Sequence, residues 1–463
     1  MLPGQPPTNN RQIKAVAALL IIIAFGSCTI VKNYQPGKPF VFKTKINLIG
    51  NFTNEEKKEL QSKLAEQLDD SMDVRAVDKL AWKVLKKPPV YDSANADKSI
   101  IFMRALLKAY GYFNDSIYYK ASIKKPKPLQ KVFRQKFYPL RTIVNFYVRP
   151  GKLVHLDTVS YNIMHPELQH LADSTQKDAF IKKGDPFSKN QISSELDRLT
   201  ELYRNNGYLR FSRDELIGLW DTLDVSLLQP TLDPFEQLQI LQKLRERRNN
   251  PTASLEIRLK NPDSTRMVKY YVGNITVYPD FDVTDTIGFS GNEVIMKNIR
   301  VIQHKKRYRP KIFPENIFLP NGSIYSQRRY FRTLNRFNSL GTWRLVNIDQ
   351  VPRKGQDTVD FIIRLTPAKK YSFNTNLEGS INQSAISGNL FGLGVNVGMQ
   401  NRNFARAANL ANTNVRYGIE LGSADGRQFI QSKQFSLSHN IYFPRFIPNT
   451  KWIPERCRDN IRT

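Results

Sequence analysis

A helix followed by a glycine and then a strand recurs three times along the chain, and in two of the copies the glycine precedes a tyrosine. In the clearest copy, "GDPFSKNQISSELDRLTELYRNNGYLRFS", Gly207 can end the helix in a left-handed conformation, and Tyr208 then begins a strand. A second copy, "FMRALLKAYGYFNDSIYYKASI", contains the equivalent step Gly111-Tyr112, and a third is "NGSIYSQRRYFRTLNRFNSLGTWRLVNI". Such self-similarity is typical of an array of small modules.

Each copy is flanked by strand candidates. The leading candidates are "PFVFKTKINLIG", "GKLVHLDTVSYNI" and "MVKYYVGNITVYP", and the trailing ones are "TIVNFYVRPG", "ASLEIRLKN" and "DTVDFIIRLTP". A further helix follows the first leading strand, where Thr53 and Glu56 have capping-box spacing. Each unit therefore reads strand, helix, helix, strand, strand, and three strands with helices on one face bury one apolar layer.

The spacer after the second helix-glycine-strand copy contains a helix of its own. Asp233 and Pro234 start this helix, and four apolar residues are expected to face inward: Phe235, Leu238, Leu241 and Leu244.

The C-terminal part of the chain changes to strict alternation. In "YSFNTNLEGSI", which begins at Tyr371, every second residue is apolar or small and the others are polar, so one face of a strand meets an apolar medium. The same pattern continues in "LFGLGVNVGMQ", "NVRYGIELG" and "QFSLSHNIYF". Segments of about ten alternating residues between turns are typical of outer-membrane barrels, although a soluble sandwich also alternates. The segments are apolar over the full length needed to span a membrane, they follow one another closely, and the chain is predicted to be exported. These three features favour lipid as the medium that the apolar faces meet.

The first thirty residues predict export. Arg11 and Lys14 precede the apolar stretch "AVAALLIIIAF", which suits a signal-peptide core and is too short to span a bilayer. "FGSC" follows, and Cys28 resembles the lipidated cysteine of a bacterial lipoprotein; an ordinary signal peptide is the alternative. Residues 28–40 are expected to form a tether.

Composition excludes several classes of site. The chain has two cysteines and five histidines without metal-ligand spacing, so no disulfide framework and no metal site is expected. No phosphate loop, dinucleotide fingerprint or nucleophile elbow occurs, and we expect no cofactor and no enzymatic activity. The formal charge of +29 favours anionic partners, but export speaks against nucleic acid.

The order of these features resembles a known family. Tandem units with "G-x-x-F…NNGY", then "RLTPAKKYSFNTNLEGS", are similar to POTRA domains entering the barrel of the BamA/TamA outer-membrane assembly superfamily. The preceding lipoprotein-like cysteine resembles the TamA-like lipoprotein, TamL, of Bacteroidetes. The resemblance implies an α+β chain of tandem POTRA-like β-α-α-β-β domains followed by the first strands of an outer-membrane antiparallel β-barrel. The expected division is a signal peptide at 1–27, a tether at 28–40, POTRA-like units at 41–150, 151–262 and 263–368, and barrel strands at 369–463.

The resemblance also implies a function. The chain would assemble, insert or translocate outer-membrane proteins, with its POTRA arm in the periplasm, and would bind unfolded clients by adding their strands to sheet edges. The strands after the glycine steps, and the first barrel strand, would form a binding surface for these clients. Candidate client-binding residues are Tyr112, Tyr208, Trp343, Tyr371 and Phe373. Outer-membrane lipid and a periplasm-spanning protein are the other implied partners.

The tail does not continue the alternation. About four strands fit between 371 and 463, whereas bacterial barrels have at least eight, and "NTKWIPERCRDNIRT" carries the odd Cys457. The family's Arg-Gly-Phe/Tyr motif is absent, so the sequence predicts a truncated barrel. Three alternatives remain open: a secretion pore for a dedicated passenger, a lipid-anchored periplasmic chaperone or binding module, and a nucleic-acid binder with a nonfunctional signal.

Overall fold

The computed structural model describes residues 30–74, 76–79, 82–124, 140–222, 234–261, 266–282, 291–384, 388–422 and 429–444. The predicted signal peptide, Cys28 and the predicted tail from 445 onward lie outside these residues. The described chain forms two compact units: one holds residues up to 196 together with 216–259, and the other holds 197–215 and the residues from 260 onward.

The first unit contains a three-stranded mixed sheet with helices against it. The elements are β1 (Ile30–Lys32), β2 (Phe40–Leu48), α1 (Asn54–Ala65), β3 (Ala76–Lys79), β4 (Trp82–Lys86), α2 (Ser93–Ala109), β5 (Ser116–Lys124) and β6 (Arg141–Arg149). The strand order is β2-β6-β5, and the central strand β6 lies parallel to β2 and antiparallel to β5. A second small sheet has the order β1-β4-β3, with β1 before α1 and the other two strands between α1 and α2.

Alternating burial shows why these residues form a helix-covered sheet. In β6, Val144, Phe146 and Val148 are fully buried, and they pack with Leu64 of α1 and Met103 of α2. The predicted capping box opens α1: Glu56 N–H donates to Thr53 Oγ1 at 3.3 Å, and Thr53 N–H donates to Glu56 Oε2 at 2.9 Å.

A second sheet of the same topology follows in the first unit. Its elements are β7 (His155–Asn162), α3 (Pro166–Ser174), α4 (Lys189–Asn205), β8 (Leu216–Asp221), α5 (Pro234–Asn249) and β9 (Thr252–Leu259). The strand order is β7-β9-β8, and the central strand β9 is parallel to β7 and antiparallel to β8.

The third sheet, in the other unit, is extended by a hairpin. Its elements are β10 (Tyr271–Tyr278), β11 (Asn292–Met296), β12 (Ile299–Gln303), α6 (Ile312–Asn316), α7 (Gln327–Ser339), β13 (Trp343–Pro352) and β14 (Thr358–Pro367). The strand order is β11-β12-β10-β14-β13. Strand β12 pairs in parallel with the leading strand β10, whereas the leading strands β2 and β7 of the other two sheets have no strand in that position among the described residues.

The chain ends its described part in a four-stranded antiparallel sheet that runs in sequence order. Its strands are β15 (Tyr371–Ser384), β16 (Gly388–Phe404), β17 (Asn409–Gly422) and β18 (Ile430–Tyr442). They contain 13 to 17 residues, more than the roughly ten that a membrane-crossing strand requires. The predicted α+β class, with three β-α-α-β-β sheets before an antiparallel sheet, is confirmed.

Three local predictions are wrong. Residues 208–212 form turns rather than a strand, because the edge strand of the second sheet begins only at Leu216. The side chains of Phe235 and Leu238 on α5 are 77% and 57% exposed, so they do not face a core. Residues 30–32 of the predicted tether form β1 and pair with β4.

Within the described ranges, no helix combines the length and the hydropathy that crossing a membrane would require.

Candidate functional site: open sheet edges and an apolar sheet face

Each of the three mixed sheets leaves an equivalent strand at its edge. Strands β5, β8 and β13 each pair with one neighbour, and no other strand of the described residues pairs with their outer sides. An unpaired edge presents a row of backbone N–H and C=O groups that can pair with an added strand. The three edges therefore offer the same type of backbone recognition at three places in the chain.

The edge of the first sheet is accessible along its length. Tyr118 and Ile123 of β5 are 46% and 49% exposed. The Tyr118 ring stacks on Tyr147 of the central strand with centroids 5.1 Å apart, which fixes its position beside the edge. An incoming strand would meet both a backbone row and this aromatic surface.

The edge of the second sheet carries Trp220 near the end of β8. Its ring packs against Phe187 at a centroid distance of 5.4 Å, and the Lys189 ammonium lies 5.2 Å from the ring centroid. The indole is still 41% exposed. It therefore presents a rigid aromatic surface beside the edge.

The edge of the third sheet exposes Leu345 and Val351, whereas Trp343 at its start is buried. The Trp343 indole Nε1–H donates to Pro279 O at 2.9 Å. Its ring packs against Tyr308 with centroids 5.2 Å apart, and burial raises the pKa of that tyrosine to about 12. Trp343 thus anchors the strand in the core.

The two glycine-tyrosine steps lie before their edge strands. Gly111 and Gly207 have φ values of 85° and 106°, the left-handed conformation that the sequence predicts there. Tyr112 is half-buried, its N–H donates to Leu107 O at 2.9 Å, and burial raises the pKa of its phenol. Tyr208 is only 1% exposed, and its N–H donates to Tyr203 O. Both tyrosines hold the turn that leads to an edge strand, and client contact by their side chains stays a prediction.

Cross-strand register gathers the alternating residues of the last sheet on one face. Leu377 of β15 pairs with Val395, which pairs with Tyr417, which pairs with Phe435. Their exposed fractions are 81%, 42%, 48% and 67%. The next row, Thr375, Val397, Val415 and Leu437, extends this apolar surface, whereas Thr413 on β17 and Lys433 and His439 on β18 add polar groups to the same face. No described helix packs closely against this face.

The opposite face is polar and tightly occupied around glycines. The guanidinium of Arg416 on β17 donates to Glu378 Oε2 on β15 at 2.7 Å. A Cβ atom at Gly398 would lie 2.2 Å from Asn374 Oδ1 and 2.6 Å from Asn414 Oδ1, which explains why glycine occupies this position. The two faces of one sheet thus suit two different media.

Tyr371 and Phe373 lie at the start of β15, on the apolar face, and are 48% and 73% exposed. Strand β15 pairs only with β16 among the described strands, so both residues border an open edge of 14 residues. Of the five predicted client-binding residues, these two lie directly on an accessible edge.

Sequence reasoning missed the exposed side chains on the edges, such as Tyr118 and Trp220. The signal was present in the apolar residues of "SIYYKASI" and "LIGLW". Among the described residues, no group of three or more His, Cys, Asp or Glu side chains could hold a metal ion.

No model of a known protein family and no curated protein matches the sequence. Among solved structures, the chain is similar to POTRA domains 3–5 of BamA from Haemophilus influenzae, with 14% identity, 72% of this chain and 98% of that chain covered, and a TM-score of 0.29. BamA from Haemophilus ducreyi lacking POTRA domains 1–3 shows 12% identity, 63% and 47% coverage, and a TM-score of 0.31. CdiB from Acinetobacter baumannii shows 12% identity, 58% and 39% coverage, and a TM-score of 0.26.

The chain therefore spans less than half the length of the last two neighbours. At these identities and TM-scores the likenesses do not assign the chain to a family.

Proposed function

We propose that the chain takes part in assembling, inserting or translocating proteins at an outer membrane, and that it does so by binding unfolded clients along its open strand edges. The observation that carries this proposal is that β5, β8 and β13 occupy the same edge position in three sheets of like topology. A client strand added to such an edge is bound by backbone hydrogen bonds, so many sequences can be accepted.

The apolar face of the last sheet supports a membrane location. If lipid tails covered side chains such as Leu377 and Phe435, their exposed apolar surface would be removed from water, which is favourable. A large continuous apolar surface on a chain in water marks an interaction site rather than a stable free surface. We therefore place this sheet in the outer membrane, with the three mixed sheets on the periplasmic side.

Strand β15 would be the point where a client strand meets the membrane. Its outer side has no partner among the described strands, and Phe373 near its start is 73% exposed on the apolar face. In lipid an unpaired backbone group costs several kcal/mol, so such an edge favours pairing with any strand that reaches it. Cys28, as a lipid anchor, would keep the mixed sheets near the same membrane.

Photo-crosslinking tests this function. The photoreactive residue p-benzoylphenylalanine replaces Ser122 of β5 or Thr375 of β15. An outer-membrane protein of eight strands, unfolded in urea, is then diluted into a solution of the full chain. We expect crosslinks at both edge positions and a decline as the client folds.

Two matched positions serve as controls. Lys58 is exposed on α1, and Val415 lies in the same cross-strand row and on the same face as Thr375 but in a strand paired on both sides. Equal crosslinking at edge and control positions would mean that contact is unspecific, and the proposal would be abandoned.

A further inference from the structure

Three segments meet at the end of the last sheet that lies next to the third mixed sheet. They are the loops of residues 304–311 and 368–370, and the turn at 405–408 with the strand ends beside it, together residues 401–409. These segments contain no Asp or Glu, but they contain nine cationic residues: Lys305, Lys306, Arg307, Arg309, Lys311, Lys369, Lys370, Arg402 and Arg406. This charge lies where the apolar face of the sheet begins, at Tyr371.

The turn between β16 and β17 is held firmly against the third sheet. Ala407 and Ala408 are 4% and 2% exposed and belong to the core cluster of that sheet. Arg309 N–H donates to Arg406 O at 2.9 Å, and Asn403 Nδ2 donates to Arg307 O at 3.1 Å. These bonds hold the backbones of Arg309 and Arg406 side by side.

The turn has an unusual backbone conformation. Ala405, Arg406 and Ala408 have φ values of 57°, 58° and 54°, in the left-handed region that residues with a Cβ rarely adopt. Strain of this kind persists only where the surroundings impose it. Here the buried alanines and the two hydrogen bonds impose it, and the result is a fixed position for Arg406.

A cavity of about 440 Å³ opens between these residues. Its lining includes the cations Lys306, Arg309 and Arg406 and the apolar side chains of Val294, Pro310 and Ala405. Within the described residues, none of the three cationic side chains forms a salt bridge.

The neighbouring carboxylates are already engaged elsewhere. Asp280 accepts hydrogen bonds from the backbone N–H groups of His304 and Lys305 at 3.2 and 3.0 Å. Glu293 binds the Arg300 guanidinium at 2.6 Å. The cavity therefore combines three cations with an apolar wall, and no carboxylate of the described residues lines it.

We infer that this cavity binds the phosphate headgroup of an anionic phospholipid from the membrane leaflet that meets this end of the sheet. Arginine and lysine form strong charge-assisted hydrogen bonds to phosphate oxygens, and the apolar wall suits the glycerol backbone of a lipid. A cavity of this volume falls within the roughly 300–1,000 Å³ range of small-molecule sites. The choice of a lipid as the source rests on the proposed membrane location of the sheet.

Binding of a soluble short-chain lipid by the full chain tests the inference. The probe is dihexanoylphosphatidylglycerol, added to the chain in maltoside micelles and counted by native mass spectrometry. In the triple variant Lys306→Gln, Arg309→Gln, Arg406→Gln, we expect the apparent affinity to fall by about a hundredfold, since each of the three cations near an anionic headgroup contributes about fivefold. The backbone hydrogen bonds of Arg309 and Arg406 remain in this variant.

A triple variant of exposed lysines on the first sheet's elements, Lys57→Gln, Lys98→Gln, Lys120→Gln, removes the same charge and is expected to bind like the wild type. Dihexanoylphosphatidylcholine and inorganic phosphate should bind at least tenfold more weakly than the anionic lipid. Equal binding by the two triple variants, or equal binding of phosphatidylcholine, would overturn the site, and equal binding of inorganic phosphate would overturn the lipid as its source.

This experiment does not require the sheet to enter a bilayer, because the probe is soluble. A chain that fails to insert but still binds the probe through these cations would refute the membrane location and leave the site standing. Circular dichroism of all variants shows whether each one has folded.

Discussion

Strands β14 and β18 share an alternating sequence but have opposite surroundings. In β14, Phe361 and Ile363 are fully buried beneath the helices of the third mixed sheet. In β18, Phe435 and Leu437 are 67% and 64% exposed. The comparison shows that alternation predicts the strand and its two faces, whereas elements elsewhere in the chain, such as the helices α6 and α7 that precede β14, decide whether the apolar face is buried.

The largest expected difference between the two strands follows from removing a phenyl ring. Phe361→Ala leaves a cavity in a packed core and should lower the free energy of unfolding of the third sheet by about 3–5 kcal/mol. Phe435→Ala leaves no enclosed cavity and should cost roughly 1.5 kcal/mol or less. Hydrogen exchange of the full chain, followed by mass spectrometry on peptides from β14 and β18, measures both effects. Equal losses would mean that Phe435 is also enclosed by protein.

A charge on the apolar face tests whether lipid covers it. Leu377→Arg should destabilise the inserted sheet by about 2–4 kcal/mol if the residue lies near the middle of a bilayer. Asn376→Arg, one residue earlier on the polar face, should have a much smaller effect. Both substitutions are made with Cys28→Ser, so that a lipid anchor does not hold the chain, and the membrane fraction that resists carbonate is measured. Similar fractions for the two variants would contradict the membrane location.

The third mixed sheet should respond to acid through Asp360. The Arg353 guanidinium donates to both of its carboxylate oxygens at 2.9 and 2.8 Å, and these bonds, with the Asn274 N–H, lower the pKa of Asp360. Stabilisation by a carboxylate with a lowered pKa is complete above its ordinary value of 3.8 and is lost as the pH falls through the folded-state pKa. Asp360→Asn should therefore cost about 1.5–3 kcal/mol at pH 7 and progressively less below pH 3.8.

Hydrogen exchange of β14 peptides between pH 7 and pH 2.5 checks this expectation, with intrinsic exchange rates corrected for pH. Arg353→Gln should reproduce the loss at pH 7, because it removes the same two bonds. A cost of Asp360→Asn that is independent of pH would show that shape rather than charge decides the effect.

The smallest expected effect is the difference in stability between glycine-to-alanine substitutions on the polar and the apolar face of the last sheet. Gly398→Ala places a methyl group against the oxygens of Asn374 and Asn414, which can move because they end flexible side chains, so the cost should be about 1 kcal/mol or less. Gly379→Ala, where nothing lies within 4 Å of the new methyl group, should be neutral. Thermal unfolding of both variants in micelles provides the comparison, and a reversed order would indicate that the polar face is the looser one.

Much of the fold could be predicted because local patterns agree with the global arrangement. The leading and trailing strands, the capping box at Thr53 and the left-handed glycines at 111 and 207 all depend on a few neighbouring residues. The register of the last sheet also follows from alternation, since a shift by one residue would exchange its faces.

What the sequence did not predict depends on distant contacts. The hairpin β11–β12 covers the edge of β10 through pairing that no local signal specifies. Helix α5 has apolar residues at the three-residue spacing of a helix that packs against a core, but Phe235 and Leu238 are exposed. The edge side chains Tyr118 and Trp220 became visible only when the strand order was known, and the cationic cavity only when three separate loops were brought together.

The buried alanines of the turn at 405–408 have a consequence for how such a chain could be divided or recombined. Ala407 and Ala408 fill the core of the third mixed sheet although they belong to the sheet that follows it. A gene cut at the junction near residue 368 would leave the upstream module with a hole in its interior. The third mixed sheet and the β16–β17 hairpin should therefore be inherited and exchanged as one piece.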